Sequence, residues 1–370
     1  MKPTVPRTLP LARIDWENLI PQIGAANRAL AHYDGILYGL PSPQVLLSPL
    51  TTQEAVLSSR IEGTQVTLGE VLKFEAGEEV AEEAKRQDIQ EIINYRRALL
   101  IAERELKRRP FNLNLLLQLH GMLLDSVRGQ NKGRGRFRTV QNFIGAPGAS
   151  IEEALYVPPE PRLVVEYMDN WEKYYHAEER DPLVQLALVH AQFEVIHPFV
   201  DGNGRLGRIL LPLFLHEKGI LSRPMFYLSV YLDGHRDEYV ALLRGLNGPE
   251  SWNRWIGFFL QALIEQARQN GEKARGILAL YERLKGEIID ATHSQYAVPL
   301  LDRLYRQPVF SSSTLVADRT MPSKPMVFTL LKRLREANIL TLVREGSGRR
   351  PQILALSELV NLCEGKKVFK

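Results

Sequence analysis

The stretch HPFVDGNGRLGR, residues 197–208, carries the features that fix the fold class of this chain. Its glycines follow a Gly-x-Gly-x-x-Gly spacing, which in dinucleotide-binding folds lies between a strand and a helix. Such folds also hold the ribose with an acidic residue roughly 20 positions beyond the glycines. Here a helical pattern precedes the glycines, and position 227 is Tyr. The sequence therefore excludes a dinucleotide-binding loop.

A calcium-binding loop is excluded by the same stretch. After Asp201 and Asn203, the third ligand position of such a loop holds Arg205, and its turn glycine is replaced by Leu206. The remaining interpretation is a loop that joins two helices. The second helix is predicted to begin near residues 202–204.

The start of this second helix has the properties of an anion site. Gly202 and Gly204 leave backbone N–H groups uncovered, and a helix N-terminus favours negative charge. Arg205 and Arg208 are three positions apart, so both reach the same phosphate chain. Asp201 would repel phosphate unless a cation lay between them, and Mg²⁺ held by one carboxylate and phosphate oxygens suits that position.

His197 lies just upstream on the same loop. A neutral imidazole accepts a proton, which makes His197 the candidate general base. Free histidine titrates near ~6.5, so activity is expected to decline as the pH falls through that region. The loop thus predicts a nucleoside triphosphate, Mg²⁺ and a proton acceptor in one place.

The composition is that of an ordinary globular chain. At 370 residues it is too long for one ordinary domain, so two or three domains are expected. The single cysteine, Cys363, excludes an internal disulfide and favours a reducing compartment. The first residues lack the apolar core of a signal peptide, and no run approaches the roughly 18 apolar residues of a membrane span. We therefore expect a cytoplasmic protein without membrane contact.

The hydrophobic spacing predicts a mainly α-helical chain. Residues 51–63 form a predicted helix that stops at Gly63. Asp181 and Pro182 begin another predicted helix, which is apolar on nearly every side and so belongs at the centre of a bundle. Residues 139–158 favour strands around a Gly/Pro-rich turn and are predicted as a β-hairpin.

The stretch 197–208 resembles the signature of the Fic family, His-x-Phe-x-(Asp/Glu)-Gly-Asn-Gly-Arg-x-x-Arg, at every fixed position. Upstream, Ser58, Glu62 and Gly63 match the pattern (Ser/Thr)-x-x-x-Glu-(Gly/Asn) of a bacterial Fic subgroup that carries an inhibitory helix. The resemblance implies a Fic helical core whose flap is the hairpin 139–158.

The resemblance also implies a reaction, the transfer of AMP from ATP to a Ser, Thr or Tyr hydroxyl of a target protein or of the chain itself. His197 would be the base and Asp201 the Mg²⁺ ligand. Glu62 would pair with Arg208 and inhibit the transfer. The target would dock as an added strand on the flap. The nucleotide-binding residues implied by the motif and by the family's adenine pocket are Gly202, Asn203, Gly204, Arg205, Leu206, Gly207, Arg208, Tyr239 and Asn247.

Two further activities occur among proteins that share this signature. Relatives that transfer phosphate carry Lys where this chain has Gly204, which disfavours that reaction here. Others remove AMP from modified targets with water oriented by the inhibitory glutamate, and this alternative stays open. A homodimer is also left open.

Residues 285–370 have the element order of a winged helix, with residues 323–337 as recognition helix and the turn EGSGRR as wing. Between Arg319 and Arg350, eight Lys or Arg stand against two Glu, a surplus that suits phosphate contacts with DNA. A DNA-binding regulator with secondary or vestigial Fic activity is therefore the alternative to an enzyme. The expected domains are an N-terminal helical region (1–100), which includes the inhibitory helix at about 51–63, the Fic core (101–275) and the winged helix (285–370).

Overall fold

The computed structural model of the protein describes residues 2–125, 132–145, 148, 150–348 and 350–369. These residues are mainly helical, as the sequence predicts, and a small sheet accompanies the helices. None of the described helices is both long and apolar enough to cross a membrane. The elements are α1 (Trp16–Gly39), α2 (Pro43–Leu46), α3 (Ser48–Ile61), α4 (Leu68–Glu75), α5 (Glu83–Leu106), α6 (Leu113–Leu123), α7 (Val164–His176), α8 (Pro182–Ile196), α9 (Asn203–Glu217), α10 (Ser229–Gly234), α11 (Arg236–Arg244), α12 (Pro249–Thr292), α13 (Ala297–Arg306), β1 (Val309–Ser311), α14 (Ser312–Ala317), α15 (Lys324–Glu336), β2 (Thr341–Arg344), β3 (Ile353–Ala355) and α16 (Ser357–Glu364).

The chain divides into two compact units that do not follow the predicted linear boundaries. The first unit is formed by Met1–Asp34, Leu57–Gly63 and Ile93–Arg268, and the second by Gly35–Val56, Thr64–Ile92 and Gln269–Lys370. Helices α1, α3, α5 and α12 each begin in one unit and end in the other. Two N-terminal segments belong to the same unit as the C-terminal part, and the domain boundaries near residues 100 and 285 stay predictions.

Helix α8 forms the centre of the first unit, as its apolar sequence predicts. Asp181 caps it by accepting hydrogen bonds from the first turn, and Pro182 occupies its first position. Nearly all its side chains are buried. The indole N–H groups of Trp171 and Trp255 each donate to a backbone carbonyl of α8 at 2.8 Å. The helix is therefore fixed on several sides, and the loop that leaves its C-terminal end starts from a rigid support.

Helix α3 agrees with the predicted inhibitory helix except at its start. It begins at Ser48, three residues earlier than predicted, because Pro49 fits the first helical turn. It ends at Ile61, and Gly63 adopts a φ of 104°, which suits a glycine after a helix.

The predicted hairpin 139–158 is reduced to one antiparallel bridge among the described residues, between Ile144 and Tyr156. A short 3₁₀ turn at Ile151–Glu153 follows where a second strand was expected. The turn residues Ala146, Pro147 and Ala149 lie outside the described residues.

The second unit contains the sheet, in which the strands follow the order β1-β3-β2 and pair antiparallel. Helix α15 begins after Ser323 and carries Pro325 in its first turn, at the place predicted for the recognition helix. Strands β2 and β3 flank the Gly-rich turn, as predicted. Arg349 of that turn lies outside the described residues. A DNA-binding role for these elements stays a prediction.

Candidate active site

The loop between α8 and α9 is folded by two residues in the left-handed region. His197 ends α8 with φ 49° and Gly202 precedes α9 with φ 80°. Asn203 closes the loop, since its side-chain oxygen accepts from the N–H of Phe199 and its amide donates to the carbonyl of Phe199, both at 2.9 Å. The Asn203 side chain is thus used within the loop and not for the predicted contact with phosphate. The backbone N–H of Asn203 remains the group of this residue that could bind phosphate.

Two buried side chains from outside the loop hold its backbone. The guanidinium of Arg138 donates to the carbonyl of His197 at 2.9 Å and to that of Pro159 at 2.6 Å. The imidazole of His120 lies 3.0 Å from the carbonyl of Asp201 and stacks on the ring of Phe199 at 3.8 Å. Because the His120 Nδ1 accepts from a backbone N–H at 3.0 Å, its Nε2 carries the proton that binds the Asp201 carbonyl. These contacts fix the backbone positions of His197 and Asp201, from which their side chains extend.

Helix α9 begins at Asn203, within the range predicted for its start, and two residues of the predicted anion site lie differently from the prediction. The Leu206 N–H donates to the Gly202 carbonyl at 3.0 Å, so it is already used within the helix, and the Leu206 side chain is buried. Gly207 faces α8, since a Cβ built on it would lie 2.4 Å from Oε1 of Glu194. Neither residue is therefore placed to contact a nucleotide, and the N–H groups that precede Leu206 are the ones that an anion could meet.

Asp201 is paired with cations on both of its carboxylate oxygens. Lys132 Nζ lies 3.2 Å from Oδ2, and Arg205 Nη2 lies 3.3 Å from Oδ1. Burial alone would raise the pKa of the Asp201 carboxyl, but the charges of Arg205 and Lys132 lower it below its usual value. No group of three metal-ligating side chains occurs among the described residues. An ionised Asp201 with 38% of its side chain exposed fits Mg²⁺ only if phosphate oxygens and water complete the coordination.

Arg208 is bound to the C-terminal turns of α3. Its Nε donates to Ser58 Oγ at 2.7 Å, and its Nη2 donates to the Ser58 carbonyl at 2.8 Å and to Glu62 Oε1 at 2.6 Å. Only 1% of the Arg208 side chain is exposed, against 43% for Glu62. A Cβ built on Gly204 would lie 2.2 Å from Glu62 Oε1, so the carboxylate lies directly on the N-terminal turn of α9. The predicted partners Ser58, Glu62 and Arg208 are thus brought together.

The electrostatics of this pair favour full ionisation. Burial would raise the pKa of the Glu62 carboxyl, but Arg208, with smaller contributions from Arg205 and His197, lowers it below its usual value. The charge of Glu62 in turn raises the pKa of Arg208 against the effect of burial. A charge-assisted pair with low solvent exposure on one side is stronger than an ordinary surface salt bridge.

A cavity of about 190 Å³ opens beside this pair, lined on one side by Glu62, His197, Gly204 and Arg208. Helix α11 supplies the facing side, which includes the predicted Tyr239 together with four further residues. Sites for drug-sized ligands typically measure ~300–1,000 Å³, so the cavity is small with the Glu62 side chain in it. The residues contributed by α11 are Arg236, Tyr239, Val240, Leu243 and Arg244.

Asn247 is not brought to the cavity. It lies in the turn between α11 and α12, where its carbonyl accepts from Arg7 at 2.9 Å and its N–H donates to Ser251 Oγ at 3.0 Å. Its contact with a nucleotide stays a prediction, and this structure gives that prediction no support.

Several residues that line the cavity were not predicted from the sequence, among them Arg236 and Glu194. Arg236 donates to the carbonyl of Ile61 at 3.0 Å, at the end of α3. Glu194 lies one turn before His197 and contacts Gly207 across the helix pair. The signal for Glu194 was available, because a charged residue in the otherwise apolar sequence of α8 requires a partner or a function.

Comparisons with known proteins identify the family of this chain. A model of the Fic/DOC family N-terminal region matches residues 20–103, and a model of the Fic/DOC family matches residues 110–215, so together they span slightly more than half of the chain. The chain belongs to the Fic family. The signature loop and the α3 contact to Arg208 therefore lie inside the matched regions.

Relatives of this Fic protein include a probable protein adenylyltransferase of Aquifex aeolicus, 28% identical over 54% of this chain, and a protein adenylyltransferase of Caenorhabditis elegans, 26% identical over 53%. The matches span 55% and 39% of those two proteins. A solved Fic family protein from Desulfovibrio desulfuricans covers 96% of this chain and is covered to 98%, with a TM-score of 0.56 and 21% identity. That likeness shows the fold.

The position of His197 corrects the pH dependence expected from free histidine. Burial lowers the pKa of the His197 imidazole to about 4, although the charge of Glu62 raises it. A lowered pKa keeps the neutral, proton-accepting form dominant at every pH above that value. The proton acceptor is therefore ready throughout the neutral range.

We predict that the His197 ring shows no titration in an NMR experiment between about pH 8 and about pH 5.5, unlike free histidine at ~6.5. His120 and His190 should behave alike, because burial lowers their pKa values to about 4 and about 3. The His197→Gln variant assigns the resonance, and added imidazole serves as an internal reference. A midpoint near ~6.5 for His197 would contradict the buried placement.

Proposed function

We propose that this Fic protein is a protein adenylyltransferase, which transfers AMP from ATP to Ser, Thr or Tyr hydroxyls of target proteins and of itself. The observation that carries the proposal is that a neutral imidazole, His197, and the N-terminus of α9 line one cavity together with Arg208. The names of the relatives support the same reaction.

In this reaction the target hydroxyl attacks the α-phosphorus of ATP, the bond to the bridging oxygen breaks, and pyrophosphate leaves. His197 takes the hydroxyl proton, for which its neutral state is suited. The N–H groups at the start of α9, with Gly204 among them, face the phosphate oxygens, and Arg205 and Arg208 neutralise their charge. Asp201 would hold Mg²⁺ on the phosphates, where the ion supplies charge neutralisation.

A target segment fits best against the flap. Ile144 and Tyr156 already exchange backbone hydrogen bonds, which fixes the local strand direction. Val140, Phe143 and Leu155 are exposed apolar side chains around this bridge. We propose that an extended target segment adds here as a strand, which brings its hydroxyl towards His197.

Glu62 inhibits the transfer in this proposal. Its carboxylate holds Arg208 and lies on Gly204, where the outer phosphates of ATP would otherwise be bound. ATP that enters beside it has its α-phosphorus displaced, and a displacement of about 1 Å can lower the rate on the order of 100-fold. Removal of AMP from a modified target, with Glu62 orienting water, is the alternative use of the same arrangement.

The proposed reaction is tested with ATP labelled at the α- or the γ-phosphate. We expect protein to take up label only from the α-position, and only in the presence of Mg²⁺. His197→Ala should lower this rate by at least roughly 100-fold, because general-base assistance is lost. The exposed His32 in α1 provides the control, since His32→Ala should label normally. Uptake from the γ-position, or wild-type labelling by His197→Ala, would contradict the assignment.

Inhibition by Glu62 predicts a gain of activity on substitution. Glu62→Gly should raise self-labelling roughly tenfold or more, because Arg208 becomes available to the γ-phosphate. Arg208→Ala should lower labelling even in the Glu62→Gly background, because the productive complex also uses this arginine. Glu82→Gly, at an exposed acid just before α5, is the charge-matched control. Unchanged labelling in Glu62→Gly would remove the inhibition and leave the proposed reaction standing.

DNA binding by the second unit is a second proposal. The contacts of its basic side chains indicate which of them could bind DNA. Arg344 donates to the carbonyl of Gly77 at 3.4 Å, and Arg350 pairs with Glu79 at 2.9 Å, so the basic residues near the turn are engaged within the unit. On helix α15, the exposed Lys332 and Arg335 make longer contacts, to Glu336 at 3.8 Å and to Gln352 at 3.5 Å. We propose that duplex phosphates meet this exposed side, which carries Lys324, Lys332 and Arg335.

Lys332→Glu with Arg335→Glu should weaken duplex binding. The slope of log affinity against log salt concentration should become shallower by about one for each phosphate that the variant no longer neutralises. The control is Lys107→Glu with Arg108→Glu at exposed positions near the end of α5. If the wild-type protein shows no salt-sensitive affinity for a duplex, the helix serves another partner and the DNA proposal fails.

A further inference from the structure

Glu194 carries a partly buried carboxyl group that the proposed reaction leaves without a role. It lies on the last turn of α8 and lines the cavity with His197, Gly204 and Arg208. Its Oε1 is enclosed and has no hydrogen-bond partner among the described residues. A buried polar atom without a partner costs stability, so its retention requires an explanation.

The backbone of α9 is shaped around this group. A Cβ on Gly207 would lie 2.4 Å from Oε1 of Glu194, so in this arrangement a residue with a side chain at position 207 would displace the carboxyl. Oε1 is enclosed against Gly207, and the residue also lines the cavity. The carboxyl group is thus placed at the wall of the space that a nucleotide would fill.

The surroundings decide whether this carboxyl carries a charge. Arg208 on α9, Glu62 on α3 and Tyr239 on α11 are the titratable groups that act on it. Burial raises the pKa of Glu194 to about 8, Arg208 opposes this effect, and Glu62 adds to it. No ion pair joins Glu194 to Arg208 within the described part of the chain, where the guanidinium is committed to Ser58 and Glu62.

We propose that Glu194 is a nucleotide-binding residue that acts as a neutral carboxylic acid and donates a hydrogen bond to an oxygen of the bound nucleotide. A neutral acid has one O–H donor, whereas a carboxylate at the same place would repel phosphate. The negative charge of an incoming phosphate raises the pKa of Glu194, as the charge of Glu62 does, and so keeps Glu194 protonated. This inference rests on the proposed function, because it requires that a nucleotide enter this cavity.

The test measures binding of an ATP analogue with a methylene group between the α- and β-phosphates, which cannot transfer AMP. Affinity is measured with Mg²⁺ by calorimetry in the Glu62→Gly background, from about pH 6 to about pH 9. In the parent we expect affinity to weaken as the pH rises, by up to tenfold per unit, because binding requires a proton on Glu194. Glu194→Gln, which is neutral and keeps a donor, should bind like the parent at low pH without this loss.

Glu194→Ala should bind roughly tenfold more weakly at low pH, the loss expected for one hydrogen bond. Gln192→Ala is the matched control, since Gln192 is buried on the same helix, also has a side-chain oxygen without a partner in the described residues, and does not line the cavity. The phosphates of the analogue also titrate in this pH range. Because this contribution is the same for the parent and for Glu194→Gln, the difference between their affinities reports on Glu194 alone. Thermal unfolding of each variant shows that it is folded.

Two outcomes would overturn the inference alone, and a third would overturn the proposed function as well. If the parent binds the analogue and Glu194→Ala binds equally well, or if Glu194→Gln keeps the same loss at high pH, Glu194 is not the donor and the proposed reaction stands. If the parent shows no binding at any pH, both the proposed function and this inference fail.

Discussion

The buried guanidinium of Arg208 is the group on which the arrangement of the site depends. Its Nε and Nη2 donate hydrogen bonds to Ser58 on α3 and to Glu62, which directly follows α3. A buried charge that loses its partners is strongly destabilised, typically by ~3–5 kcal/mol. An anion beside Arg208 therefore stabilises the folded chain. In the proposed function that anion is either the Glu62 carboxylate or a phosphate of ATP, so inhibition and catalysis use the same donors and exclude each other.

The loop before Arg208 is held by groups that are not themselves reactive. Arg138 and His120 bind the carbonyls of His197 and Asp201, and Asn203 ties the loop to Phe199. His197 keeps a left-handed backbone that is uncommon for a residue with a side chain, and such a conformation persists only where the surroundings fix it. The reactive side chains are thereby placed before any substrate arrives, which is how catalytic sites lower the cost of reorganisation.

The sequence predicted those parts of the fold that depend on local signals. Asp181 and Pro182 located the start of α8. The signature placed His197 and Arg208 in one site, and the resemblance to the subgroup with an inhibitory helix added Glu62 to it. Parts that depend on distant contacts were not predictable in the same way. The role of Gly207 is visible only once Glu194 lies against it, because the two belong to different helices.

Contacts between segments far apart in the chain also account for the features that the sequence did not predict. Asn203 was assigned to nucleotide binding because the motif implies it, yet its side chain is hydrogen-bonded to the backbone of Phe199 across the loop. The division into units was expected to follow the chain, whereas four helices run through both units. No local pattern reports either fact, since both arise from which segments meet in the folded chain. The lowered pKa of His197 likewise follows from burial, which the residue type alone does not give.

The central claim is that Glu62 and the outer phosphates of ATP compete for Arg208. A crystal structure of the Glu62→Gly variant with the non-transferable analogue and Mg²⁺ tests it most directly. The account predicts that the γ-phosphate lies within hydrogen-bond distance of the Arg208 guanidinium, in place of the removed carboxylate, with the α-phosphorus facing His197. An analogue bound in the cavity with its phosphates away from Arg208, while the guanidinium remains on Ser58, would contradict it.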